Sequence, residues 1–105
     1  MKIETDSVRG AFVLRPVGTM DARTCPAVKA SFDAVLERGI ELVRVDLSGV
    51  SFMDSSGLGT LVAMAKGAQR SSVPLRLERL PEQALMLVKA TGLDRFLPID
   101  SESRP

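Results

Sequence analysis

Apolar residues along this chain recur in two rhythms, and the changes between them mark out the elements. Lys2 to Ser7 and Ala11 to Val17 read as two short strands, the second weighted by Phe12, Val13 and Leu14. Arg9-Gly10 between them is a turn signal, and so short a link demands an antiparallel pair. Pro16 marks the second strand as ending there or lying at an edge. Gly18-Thr19-Met20-Asp21 follows as a loop, and either Asp21 or Thr24 is suited to cap the next helix. Pro26 fits only the first turn of that helix. Val28, Phe32, Val35 and Leu36 then recur at helical spacing, and Gly39 stops it.

Glu41 to Leu47 alternates toward its end, with Val43, Val45 and Leu47 set against Arg44 and Asp46. This predicts a strand with one face better buried than the other. Ser48 to Gly57 reads as a turn. A second helix carries Leu58, Leu61, Val62 and Ala65 on one stripe and fades near Gln69 to Ser72. Val73 to Leu77 is the next strand. Pro81 suits the first position of a third helix, whose core face is placed by Leu85, Val88 and Lys89 and which Gly92 ends. Phe96 to Ile99 is an optional last strand. The order β-β-α-β-α-β-α, with helical crossovers, implies parallel pairing after the first hairpin. The expected fold is therefore α/β, with a mixed sheet of four to five strands packed with about three helices.

Composition narrows the function mainly by exclusion. The 105 residues make one domain, with residues 101–105 as a polar C-terminal tail. Fourteen basic residues balance thirteen acidic ones, with no cluster of either sign, so no nucleic-acid footprint is expected. No apolar run approaches the roughly 20 residues of a membrane span. The acidic start does not read as a signal peptide, and the lone Cys25 fits a reduced, cytoplasmic setting. The chain has no His. It thus lacks the usual general base and the commonest metal ligand, and one Cys cannot supply a thiolate metal site. No enzyme activity, metal or cofactor is expected.

Two loops lie at the carboxyl ends of strands, where functional loops of α/β sheets gather: Gly18 to Asp21, and Met53-Asp54-Ser55-Ser56-Gly57. The second opens a helix. Asp54 and Ser55 are both N-cap types, and Ser56 falls in the first turn, where free N–H groups and the helix dipole favour an anion. A phosphate on Ser56 would add nearly two charges there without melting the helix, while an ionised Asp54 would oppose it. On the tetrapeptide alone, a plain helix cap is the favoured reading.

The longer run from Val45 through Asp54-Ser55-Ser56-Gly57-Leu58-Gly59 resembles the signature of the STAS domain of anti-anti-sigma factors. Gly18-Thr19-Met20-Asp21 resembles that family's Gly-x-hydrophobic-Asp loop, and Thr91-Gly92-Leu93 with Phe96 resembles the end of its third helix. The resemblance implies an antagonist whose unphosphorylated form binds an anti-sigma factor, commonly a serine-protein kinase, and frees its sigma factor. Phosphorylation at the second serine of the turn, here Ser56, with Ser55 as the neighbouring candidate, would end that binding, and a serine phosphatase would reset it. Thr19, Asp21, Asp54, Ser55, Ser56, Gly57 and Leu58 form the implied partner surface. For Asp21 and Thr19, capping the first helix is an equal alternative. The same family also implies a second role, as a STAS-type cytoplasmic subunit of a lipid-transport ATP-binding-cassette system.

Two runs, Leu61 to Ala65 and Ala84 to Val88, are apolar at five consecutive positions. Consecutive helical residues point about 100° apart, so one core cannot take them all. Met64, Met86 and Leu87 are the expected exposed positions, and together they suggest a partner surface or a weak homodimer.

Overall fold

The computed structural model describes residues 1–100; the expected polar tail, residues 101–105, lies outside the described residues. The elements are β1 (Lys2–Val8), β2 (Ala11–Met20), α1 (Cys25–Leu36), β3 (Leu42–Asp46), β4 (Val50–Met53), α2 (Ser55–Arg70), β5 (Leu75–Glu78) and α3 (Glu82–Ala90), followed by a short 3-10 turn at Leu93–Arg95. β1 and β2 form the antiparallel hairpin; β3 and β4 both run parallel to β2, and β5 runs parallel to β3. This is the expected mixed α/β sheet, in five strands.

Strand alternation sorts the side chains. Phe12, Leu14, Val43, Val45, Leu47, Leu75 and Leu77 join residues of all three helices in one core. Each large apolar side chain so buried contributes about 1.5–3 kcal/mol relative to exposure. Arg44, Asp46, Arg76 and Glu78 alternate with these and occupy the opposite face. Helix α1 buries Val28, Phe32 and Val35, and its Leu36 packs over Gly67 of α2.

β4 is the main departure from the sequence expectation, which placed a turn from Ser48 to Gly57. β2 pairs with β3 through Leu14↔Val45 and then with β4 from Gly18↔Val50, so β3 and β4 act as two pieces of one run beside β2. The break between them is a turn closed by the Val50 N–H donating to the Leu47 carbonyl (3.0 Å) and the Ser48 N–H to Asp46 Oδ1 (3.0 Å). The same pairing carries β2 through Met20, so Gly18 to Met20 is strand rather than loop. The pairing slips by one residue after Gly18, whose φ of +119° is a conformation open to glycine and poorly tolerated by other residues. Pro16 does not end β2 or mark an edge. It sits in Arg15–Val17, between the β3-paired and β4-paired parts, where its missing donor has no parallel neighbour to serve.

Three smaller corrections concern the helices and the C-terminal end. Lys89 is exposed, and the core face of α3 is Ala84, Leu85 and Val88. Pro81 precedes α3 as its N-cap rather than its first residue. Phe96 to Ile99 forms no strand, only a single bridge of Ile99 to Leu77 at the edge of β5, because the Phe96 and Leu97 N–H groups turn back to the Leu93 carbonyl.

Candidate functional site

The Asp54-Ser55-Ser56-Gly57 segment is the junction of β4 and α2. Asp54 leaves β4 in extended conformation (ψ −169°) and N-caps α2, its Oδ1 accepting from the Ser56 N–H (2.8 Å) and the Gly57 N–H (3.1 Å). Its carbonyl accepts from the Leu58 N–H at 3.1 Å. Three of the helix-start donors expected to attract an anion, the amides of Ser56, Gly57 and Leu58, are therefore engaged by Asp54, and the cap already places a carboxylate there. Ser55 is exposed and Ser56 half-buried. The Ser56 carbonyl accepts from Thr60 Oγ1 (2.9 Å). The Ser56 hydroxyl makes no hydrogen bond to another described residue.

The neighbouring segment of β2 is brought alongside this turn. Thr19 pairs with Phe52 and Met20 with Met53, and the Asp54 N–H donates to the Met20 carbonyl (3.2 Å). Thr19 is exposed, with its Oγ1 3.4 Å from Ser51 Oγ. Asp21 directs Oδ1 to the N–H groups of Arg23 (2.9 Å) and Thr24 (3.2 Å). These bonds, the Arg23 one foremost, hold its carboxyl below the ordinary aspartate value. The hydroxyl of Thr24, which precedes α1, donates to the Thr19 carbonyl (2.7 Å) rather than capping the helix. Thus Asp21 and Thr24 together lock the entry to α1.

Of the residues singled out in sequence, Thr19, Asp21, Asp54, Ser55 and Ser56 share this end of the sheet, and all are at least partly accessible. Gly57 and Leu58 are buried. Leu58 is set into the core, and Gly57 packs against β2 and β4, so these two seat the helix and present no side chain at the surface. Met64, expected to be exposed, is fully buried, because α2 is covered both by the sheet and by α1 and buries 61, 64, 65 and 68 together. Val62, placed on the core stripe, is partly exposed instead, as is Ala63. Met86 is 63% exposed and, with Glu82, Gln83, Leu87 and Ala90, lines a shallow groove of about 620 Å³.

Two contributors escaped the sequence reading. Gln83 of α3 grips the backbone of Met53 from both sides: its Oε1 accepts from the Met53 N–H (2.9 Å) and its Nε2 donates to the Met53 carbonyl (2.8 Å). Asp46, 1% exposed, ends β3 between Arg15, whose Nε donates to Oδ2 at 2.8 Å, and Arg79, whose Nε and Nη2 donate to both carboxylate oxygens. Burial alone would raise the Asp46 pKa, but the bonds from Arg79, Arg15 and the Ser48 N–H outweigh it and hold the group well below the ordinary carboxylate range. The alternation of Asp46 with the apolar Val45 and Leu47 marked the side chain as outward-facing, and nothing local foretold its partners, which lie 31 and 33 residues away. No group of three or more Cys, Asp or Glu among the described residues is arranged to hold a metal ion.

Comparison with known proteins accords with this geometry. The STAS domain profile matches residues 2–104. The chain belongs to the STAS domain family. It is 34% identical over 86 residues, 82% of this chain and 78% of the relative, to the anti-sigma-B factor antagonist of Bacillus subtilis. It is 28% identical over 100 residues to the anti-sigma F factor antagonist of Paenibacillus polymyxa, covering 94% of this chain and 86% of that one. An anti-sigma factor antagonist from Mycobacterium paratuberculosis shares the fold with a TM-score of 0.81 at 24% identity, over 95% of this chain and 85% of that one. SpoIIAA in its unphosphorylated form shares it with a TM-score of 0.76 at 17% identity, over 96% and 90%.

Proposed function

We propose that this chain is an anti-sigma factor antagonist: unphosphorylated, it binds an anti-sigma factor that is also a serine kinase and so releases a sigma factor, and phosphorylation at Ser56 ends the binding. The observation that carries this is the half-buried Ser56 hydroxyl, uncommitted among the described residues, on a helix turn whose Ser56, Gly57 and Leu58 amides are bonded to Asp54. The turn need not rearrange to receive a phosphate. Because Asp54 already occupies the adjacent amides, the added charge stays on the surface beside an existing carboxylate. A partner docked there meets a local change of nearly two charges, and like-charge juxtaposition costs several kcal/mol in an interface. Thr19, Asp21 and Ser55 flank Ser56 and complete the contact surface, with Ser55 the secondary acceptor. Catalysis resides in the partners, a kinase and a serine phosphatase. The protein acts in the cytoplasm, and no described helix is long and apolar enough to cross a membrane. Two features support a switch that leaves the fold intact: the internal bonding of the turn, and the likeness of this chain to phosphorylated as well as unphosphorylated SpoIIAA (TM-scores 0.71 and 0.76).

The test is incubation with a cognate anti-sigma kinase and ATP. Label is expected on Ser56; Ser56→Ala removes it, and Ser56→Asp weakens the complex. Undiminished labelling of Ser56→Ala overturns the assignment.

A further inference from the structure

β4 is an edge. It has four residues and, among the described residues, pairs on one side only, with β2. The free N–H and C=O of an edge strand need partners when covered, and at Met53 both are supplied by a side chain. The Gln83 amide completes both bonds at Met53, imitating the two-bond exchange of a neighbouring strand. Met53 is the last residue of β4 and is fully buried. It is joined covalently to Asp54, whose carboxylate positions the Ser56 and Gly57 amides. Its side chain lies against Gly57. A shift of the Met53 backbone therefore passes to the cap by one peptide bond and to Gly57 by direct contact. Among the described residues, these two bonds are the hydrogen bonds that join α3 to this strand.

We propose that Gln83 is a positioning residue for the switch turn: by clamping Met53 it sets the place of Asp54 and Ser56, and it mechanically links the exposed α3 surface to the phosphorylation site. This rests on the reading of Ser56 given above only for its functional consequence. The clamp's control of the turn stands on the geometry.

The experiment compares wild type with Gln83→Met and Gln83→Ala by amide hydrogen exchange, by thermal unfolding, and by the kcat/KM of Ser56 phosphorylation with an anti-sigma kinase. Methionine keeps the side-chain volume and removes both bonds; alanine removes the bonds and opens the edge to water. In both variants exchange at Met53, Ser56 and Gly57 is expected to rise about tenfold or more, while the amides of β2 and β3 pairs keep their protection. Phosphorylation efficiency falls about tenfold with the protein still folded at the assay temperature. If Gln83→Met matches wild type and only Gln83→Ala loses function, the side chain acts by volume and the proposal fails. It also fails if exchange changes at Met53 alone, or rises through the turn while phosphorylation is untouched. If no kinase labels the wild type, the function proposed above fails instead, and the spread of exchange from Met53 to Ser56 and Gly57 still decides the positioning claim.

Discussion

Gly57 faces Met53 so closely that a Cβ at position 57 would lie 2.5 Å from Met53 Cγ, and 3.0 Å from the Met20 carbonyl oxygen. The first turn of α2 thus packs directly on the two strands that deliver Asp54 and Thr19, β4 and β2. A side chain at 57 has nowhere to go, since Met53 is fully buried and the carbonyl belongs to a paired strand. Gly57→Ala gains at most about 1 kcal/mol in helix propensity and incurs about 1–3 kcal/mol of overpacking. The expected net effect is destabilisation, visible as a lower urea midpoint, with weaker protection of the Ser56 amide. An unchanged midpoint would show that the turn yields freely.

Asp54 contributes to stability as a cap, independently of any partner. Removing its carboxylate leaves two helix-start amides without their acceptor. Asp54→Ala should therefore cost about 0.5–2 kcal/mol, and Asp54→Asn less, because the amide oxygen still accepts. Urea unfolding of the two variants measures this. If both bind a cognate anti-sigma factor like wild type, Asp54 serves the fold alone.

The parts of this fold that depend on local pattern were legible in the sequence. The Arg9-Gly10 hairpin, the apolar stripe of α1 and the alternation of β3 each announce themselves within a few residues. β4 did not, because Ser51 and Phe52 both face solvent and Val50 and Met53 both face inward, so the four residues carry no period of two. Its identity as a strand comes from β2, some 30 residues earlier. Pro16 misled for the same reason: its tolerance depends on a change of neighbour along β2 that no local rule foresees. At the site, Ser56 and Asp54 stood out because a cap is a short-range device. Gln83 and Asp46 did not, since a clamp and a charge network join residues about thirty positions apart.

Asp46 makes stability depend on pH. Its carboxylate is buried, and its folded-state pKa is depressed by Arg79, Arg15 and the Ser48 amide acting against desolvation. The charged form is the one these bonds require. Their contribution is complete above the unfolded-state pKa of about 3.9 and is lost as the pH falls below that value toward the depressed folded one. Arg79 is largely exposed, which discounts the energy by screening. Asp46→Asn is expected to cost about 1–3 kcal/mol near neutral pH. It should also flatten the loss of stability between about pH 5 and pH 2. Urea midpoints measured across that range for both proteins check the slope. Equal slopes would mean that other carboxylates govern the acid limb.

Met64 and Met86 occupy comparable apolar runs in α2 and α3, yet their burial is opposite, 0% against 63% exposed. The difference follows from how many layers touch each helix. α2 packs against both the sheet and its neighbour α1 and turns a wide stripe inward, whereas α3 contacts the rest of the domain along Ala84, Leu85 and Val88 and leaves its far side open. Truncation should read this directly. Met64→Ala removes a side chain from a packed core and is expected to cost about 2–5 kcal/mol. Met86→Ala removes one already in water and should stay within about 0.5 kcal/mol of wild type. Thermal unfolding of the two variants distinguishes the outcomes. If Met86→Ala proved as damaging as Met64→Ala, the outer face of α3 would have to be covered in solution, and a concentration-dependent midpoint would identify a second copy of the chain as the cover.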